Sequence, residues 1–236
     1  MQKVKFPKIH HLPWSPGLTR DDKRIENIDA FLNQEVVVSE KLDGENFSAT
    51  RDYHHARSLN EGALTAKQTW SREWVKNLWG KIRYNIPDNM KIVGENMYAY
   101  HSIEYNALPS YYLVFAILQD DLFLSWDETV EWCSLLDLVH VPVLYRGQWD
   151  EGKVKQCYGH PHYSKQQEGY VVRLADPFNA IHFDKKVAKY VRESHVKTDG
   201  MWIHGEWIKN KLAETRPLSC DEAARPTPVK KGSPIK

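Results

Sequence analysis

Lys41 lies in the run Glu40-Lys41-Leu42-Asp43-Gly44-Glu45-Asn46, directly after the apolar stretch from Gln34. A lysine at the end of a β-branched run, followed by an Asp-Gly turn, puts an amine at a strand end among the polar side chains of Asp43, Glu45 and Asn46. Asp-Gly is also the commonest short hairpin signal, so this run alone leaves a reactive amine and an exposed hairpin both open. Four further groups follow in order. Val93-Gly94-Glu95-Asn96 carries a carboxylate out of an apolar run, and Phe115 sits inside the apolar run YYLVFAIL. Glu168-Gly169-Tyr170-Val171-Val172 carries a second carboxylate, and Lys185, Lys186, Lys189 and Arg192 form a cationic run. Together they supply one amine nucleophile, carboxylates for a metal or for hydroxyls, an aromatic face and cations for phosphate. A lysine attacks only when neutral, so nearby cations and a bound metal are expected to ease loss of its proton. Phosphoryl chemistry also needs cations on the non-bridging oxygens and a divalent ion to offset charge.

Regular elements must hold these groups. Gln34 to Glu40 is β-branched and short, which predicts a buried strand ending at Lys41. Phe47 to Arg51 and the segment around Ala56-Arg57-Ser58 read as the next strands. Trp70, Trp74, Leu78 and Ile82 recur every four residues and predict an amphipathic helix whose tryptophans belong to the core. Lys91 to Met97, Tyr111 to Leu118, Val141 to Leu144, Glu168 to Leu174 and Val187 to Arg192 read as strands. Ser125-Trp-Asp-Glu128 resembles a capping box opening a second helix. The first 20 residues hold Pro7, Pro13, Pro16 and Gly17, and predict an extended, irregular lead-in. From Arg216 onward Pro217, Pro226, Pro228 and Pro234 accompany Lys230, Lys231 and Lys236. Residues 1–215 are therefore read as one domain and 216–236 as a disordered, basic, proline-rich tail.

Composition narrows the function classes. A hydrophobic content of 42% is enough for a core and excludes whole-chain disorder. Lys and Arg number 32 against 31 Asp and Glu, so the net charge is +1 and bulk attraction for nucleic acid is excluded. Any phosphate binding must come from local clusters. No apolar run approaches the roughly 18 residues of a membrane span, and mean hydropathy is −0.61. The start, MQKVKFPKIHHLPWSPG, has no apolar stretch like that of a signal peptide. Cys133, Cys157 and Cys220 form neither a disulfide framework nor a CxxC zinc site, as expected of reduced thiols in a cytosolic protein. The pairs His10-His11 and His54-His55, and His160-Pro-His162, lack the HExxH form and read as surface or polar-contact residues.

The order KxDG, GE, aromatic strand, EG with an apolar pair, and a lysine-bearing strand resembles the lysine-dependent nucleotidyltransferase superfamily. That superfamily contains the ATP-dependent DNA ligases, the RNA ligases and the mRNA capping guanylyltransferases. Within it, GENMYAYHSIEYNALPSYYLVFAI and VAKYVRESHVKTDGMW are similar to the RNA ligases of the nick-sealing type and their bacterial and phage relatives. The five motifs run from residue 40 to residue 192, most of the chain. The resemblance implies an α+β fold: an ATP-grasp-like ligase adenylation domain with antiparallel sheets and flanking helices.

It also implies roles, residue by residue. Lys41 would attack the α-phosphate of ATP and become lysyl-AMP. Glu40 would lie at the adenine edge and Asn46 close to the phosphate. Arg57 would contact the nucleotide, Glu95 the ribose hydroxyls, and Phe115 would stack on the adenine. Glu168 would hold Mg2+ or Mn2+ through water. Lys189 would contact the α-phosphate, with Arg192 as a second cation and Lys186 as its rival. The implied substrate is a polynucleotide with 5′-phosphate and 3′-OH ends, RNA for preference, with no membrane and no obligatory protein partner. The implied setting is the cytoplasm, or a host cytoplasm for a phage-encoded enzyme. DNA ligation, adenylate transfer without sealing, and a nucleotide- or RNA-binding module that has lost turnover are the alternatives. Two positions depart from the pattern: Ala116 follows Phe115 where the family usually has aspartate, and the last motif reads Lys-Tyr-Val-Arg. The short stretch after Arg192 leaves no room for a full OB-fold or helical appendage and suggests a near-minimal catalytic domain.

Overall fold

Branched and aromatic side chains pack well on a pleated surface, and the apolar runs rich in Val, Ile, Tyr and Phe fold as strands. A computed structural model describes residues 3–57, 59, 64–193 and 207–214. In chain order its strands begin with β1 (His10–His11), β2 (Glu35–Lys41), β3 (Glu45–Ala49), β4 (His54–Ala56), β5 (Met90–Asn96) and β6 (Tyr112–Gln119). They continue with β7 (Leu122–Phe123), β8 (Val139–His140), β9 (Val143–Gln148), β10 (Gly169–Leu174), β11 (Phe178–Asn179) and β12 (Val187–Val191). The helices are α1 (Ala66–Ile82), α2 (Trp126–Leu135), α3 (Glu151–Gln156) and α4 (Phe183–Lys186). The predicted proline-rich tail lies outside the described residues, as do Ser58 and Cys220.

One sheet has the order β1-β12-β10-β2-β9 and the other β11-β7-β6-β5-β3-β4, with β8 beside β6. The ladders are antiparallel except for β1 on β12 and β8 on β6. This is the expected α+β architecture. Apolar side chains of both sheets, among them Val93, Ala116, Leu118, Phe123 and Val187, form one cluster with Phe6 of the lead-in and Phe183 of α4, and it continues onto β2 and β10. A second cluster joins Phe47, Ile92, Tyr112 and Val114 to α1 and α2. The central strands are buried on both faces, which is why β6 reads as an almost unbroken apolar run and β2 carries three successive valines.

α2 starts at the expected capping box, and α1 starts at a second box that sequence reading did not find. The Thr65 hydroxyl accepts from the Gln68 N–H at 3.2 Å, and the Gln68 side chain accepts from the Thr65 N–H at 3.0 Å. Ser125 and Glu128 repeat the arrangement at 3.2 and 2.8 Å. Each box satisfies donors that the first helical turn leaves free. Trp74 and Trp79 pack on the second cluster as expected of core residues, whereas Trp70 turns outward onto Tyr98 and Trp207.

The lead-in differs from expectation. Prolines leave it irregular, but it is not a loose extension. β1 pairs in parallel with β12, Phe6 and Leu12 are buried, and the Leu12 N–H donates to the Lys189 carbonyl at 2.8 Å. Two residues of strand carry too little periodicity to be seen in a sequence. The same holds for β7, β8, β11 and α4, which sequence reading did not find.

Candidate active site

β2 ends at Lys41 in one sheet and β3 starts at Glu45 in the other, so Leu42-Asp43-Gly44 crosses between sheets. The Asp-Gly pair is therefore a crossover and not a hairpin. Its shape is held from outside. Asp43 Oδ2 accepts from the Ser102 N–H (2.8 Å), the Ser102 hydroxyl (2.6 Å) and the Ile103 N–H (3.0 Å), while the Asp43 N–H donates to the Tyr105 hydroxyl at 2.9 Å. At Gly44 a Cβ would fall 2.7 Å from the Asn96 carbonyl oxygen, so the turn approaches β5 too closely for a side chain.

A cleft of about 860 Å³ lies at this crossover, lined by both sheets and by residues 5–9. Lys41 reaches into it. In the β2–β10 ladder Lys41 pairs with Gly169, which brings the preceding Glu168 alongside, and Lys41 Nζ donates to Glu168 Oε2 at 2.7 Å. Gly169 is required here because a Cβ would lie 1.9 Å from the Tyr190 carbonyl oxygen of β12. Glu95 stands on the facing sheet, opposite Asn46, and its Oε1 accepts from the Gly44 N–H at 3.2 Å.

The charges around Lys41 revise one expectation. Burial alone would lower its pKa, but the carboxylates of Glu168, Glu95 and Asp43 outweigh burial and raise it. The amine is held as ammonium, and its proton is harder to lose, not easier. Glu95 responds in kind: burial first, then Glu168 and Asp43, push it up to about 8, against the opposing pull of Lys41. Even without Glu95, the Glu168 and Asp43 carboxylates outnumber the single lysine. Hard oxygen donors with surplus negative charge fit a divalent cation held largely through water. Among the described residues no group of three or more His, Cys, Asp or Glu is arranged to hold a metal directly.

The remaining predicted residues divide. Asn46, Arg57, Phe115, Glu168 and Lys189 line the cleft with Lys41 and Glu95. Asn46 Oδ1 is buried without a hydrogen-bond partner, an acceptor left open toward the cleft wall. Phe115 owes its place to a β-bulge: Val93 pairs with Ala116 and Gly94 with Val114, so Phe115 has no partner on β5. The extra residue resets the alternation, and Phe115 and Ala116 both line the cleft. The methyl of Ala116 thus lies where the resemblance expects a carboxylate.

Glu40 also borders the cleft, but it is one residue from Lys41 and the pleat turns its carboxylate to the other face of β2. There Oε2 accepts from the His162 N–H at 3.0 Å and lies 3.0 Å from His162 Nδ1, so the Glu40 carboxylate anchors the His160-Pro-His162 segment. Arg192 follows the end of β12, with Nη2 3.5 Å from Gln166 Oε1; neither it nor Lys186 lines the cleft. The second cation expected at this end of the chain is not brought into the cavity.

Sequence reading missed several wall residues. Lys5, Phe6 and Lys8 come from the lead-in, and Phe6 packs edge-on against Phe115 with ring centroids 5.3 Å apart. Arg72 from α1 clamps Glu45 at the cleft edge through Nε at 2.8 Å and through a second contact from Nη2. Arg173, two residues beyond Val171 on β10, also lines the cleft; burial lowers its pKa to about 10. Its alternation with Val171 was readable in the sequence. The reach of Phe6 across the chain was not.

A mutant Naegleria gruberi RNA ligase with ATP and Mn aligns at 20% identity with a TM-score of 0.52, over 81% of this chain and 58% of that one. The same organism's RNA ligase with PPi gives 19% identity and a TM-score of 0.52 over 84% and 64%. A mutant apo form gives 16% and 0.50 over 83% and 59%. These likenesses speak for the fold, and the chain spans less than two thirds of those ligases' length. No curated protein matches the chain. The family model for RNA ligase matches residues 34–191, from the residue before β2 to the last residue of β12. That stretch carries the crossover lysine and both facing carboxylates, and the chain belongs to the RNA ligase family.

Proposed function

We propose that this protein is an ATP-dependent polynucleotide ligase that joins 3′-OH and 5′-phosphate ends, with RNA as its substrate. The observation that carries the reading is Lys41, an amine at a sheet-to-sheet crossover, 2.7 Å from Glu168 in a cleft that also holds Glu95, Phe115 and Lys189. Lys41 attacks the α-phosphate of ATP, a phosphoramidate bond forms and pyrophosphate leaves. The AMP passes to a 5′-phosphate, and a 3′-hydroxyl then displaces AMP to seal the strand. Each step is an in-line displacement at phosphorus, and the protein's part is to orient groups and neutralise charge.

The residues divide that work. Phe115 offers its ring to the adenine, Glu95 accepts from ribose hydroxyls, and Asn46 and Arg57 stand at the crossover side of the phosphates. Lys189 faces the α-phosphate from β12. Mg2+ or Mn2+, bound near Glu168, supplies positive charge that offsets the carboxylates and favours the neutral amine. Glu168 holds the Lys41 proton in the resting cleft and must give up that contact before attack.

Incubation with radiolabelled ATP and magnesium, then denaturing electrophoresis, tests the first step. A labelled protein band is expected, and its absence refutes the reading. Sealing assays across nicked RNA, nicked DNA, hybrid duplexes and single strands then identify the substrate. Ala116 favours a second reading, a nucleotide- or RNA-binding module without turnover, for which ATP binds but no label is retained.

A further inference from the structure

We propose that Lys8, from the lead-in, is a second phosphate-binding cation of the cleft, held beside Lys189 by the shared carboxylate of Asp22. The proposal rests on the reading of the cleft as a nucleotide site. β1 pairs with β12 so that His11 stands opposite Lys189, and the segment after it turns back along the same strand. The Gly17 N–H donates to the Val191 carbonyl at 3.0 Å, and the Val191 N–H donates to the Ser15 hydroxyl at 2.9 Å. This return delivers Asp22, whose side chain is fully buried, to the end of the lysine.

Asp22 Oδ1 lies 3.2 Å from Lys8 Nζ and 3.6 Å from Lys189 Nζ. Its other oxygen accepts from the Thr19 N–H at 3.0 Å and the Thr19 hydroxyl at 2.7 Å, with His11 Nε2 at 3.4 Å. The carboxylate is thus fixed from one side while two ammonium groups share its other oxygen. One negative charge against two positive leaves the cluster net positive. Both lysines line the cleft; the Lys8 side chain is 36% exposed, and its ammonium also donates to the Asp21 carbonyl. The end of the cavity with Glu168 and Asp43 has the opposite excess, two carboxylates against Lys41. A bound nucleoside triphosphate, with its anionic chain toward Lys8 and Lys189, completes the charge of this cluster. Neither Arg192 nor Lys186 lines the cleft, whereas Lys8 reaches it from the other end of the chain.

The test measures the ATP dependence of lysyl-AMP formation, and competition of that reaction by adenosine, for the wild type, Lys8→Ala and Lys8→Arg. A lost charge-assisted contact to phosphate predicts that Lys8→Ala needs about tenfold to a hundredfold more ATP for half-maximal labelling. Lys8→Arg should recover most of that loss. Adenosine carries no phosphate, so its inhibition constant should stay within about twofold in all three proteins. Unchanged ATP dependence in Lys8→Ala overturns the proposal, as does an equal loss for adenosine and ATP, which marks a general collapse of the cleft. A wild type that forms no lysyl-AMP overturns the nucleotide reading itself, and the inference falls with it.

Discussion

Lys41 is charged at rest because three carboxylates surround it, and this sets what substitutions there will do. Lys41→Ala should abolish labelling by radiolabelled ATP on a denaturing gel while leaving the thermal midpoint close to wild type. Lys41→Arg should fail equally, since a guanidinium stays charged and is no nucleophile. Residual label in the alanine protein would assign the nucleophile elsewhere. Glu168→Gln separates two roles. Loss of the carboxylate should lower the Lys41 pKa, which favours the amine, yet labelling should fall at least about a hundredfold because a neutral amide cannot offset metal charge or order its waters. Recovery of labelling at high magnesium or manganese would show that the loss is one of metal affinity; labelling close to wild type at ordinary metal would show that Glu168 serves only the lysine.

Elements set the spacing on which those residues depend, and two glycines make opposite predictions. Gly169→Ala forces a Cβ to 1.9 Å from a backbone oxygen of β12, where nothing flexible can give way. It should cost about 3 kcal/mol in denaturant unfolding and pry β10 from β12, between Glu168 and Lys189. Gly80 lies in α1 with nothing near its Cβ position, so Gly80→Ala should stabilise by about 0.5–1 kcal/mol. β4 carries a pH dependence. His54 sits between the rings of Phe47 and Trp79, and burial, then Lys76 and Arg72, lower its pKa to about 4. A base whose pKa is lowered on folding takes up protons more readily when unfolded. Stability is therefore full above about pH 6.5 and declines as pH falls toward 4. Unfolding at pH 7 and pH 4.5 should show that His54→Gln removes about 1–2 kcal/mol of that decline; an unchanged slope would place its origin in other groups.

Across the whole molecule, residues far apart in the chain close the site. Asn210 is buried: it accepts from the Tyr105 N–H at 3.1 Å and donates to the Met97 and Ala99 carbonyls at 2.8 and 3.2 Å. Tyr105 and its neighbours Ser102 and Ile103 hold Asp43, so Asn210 supports the crossover from behind. Asn210→Ala should destabilise by about 2–3 kcal/mol and slow lysyl-AMP formation, read by unfolding and labelling on one preparation. What the sequence by itself determined is local. The apolar runs of β2, β5, β6, β10 and β12, the capping box at Ser125, and the motif lysine and carboxylates are written within a few residues each, because strand period and cap chemistry act over a single turn or pleat. Tertiary structure decided the rest. Whether Asp43-Gly44 makes a hairpin or a crossover depends on which sheet receives β3. The protonation of Lys41 depends on carboxylates from three segments converging on it. Lys8 reaches the cleft because the lead-in joins the edge of β12. Each outcome is set by packing and Coulomb interactions between residues remote in the chain, and no local pattern encodes them.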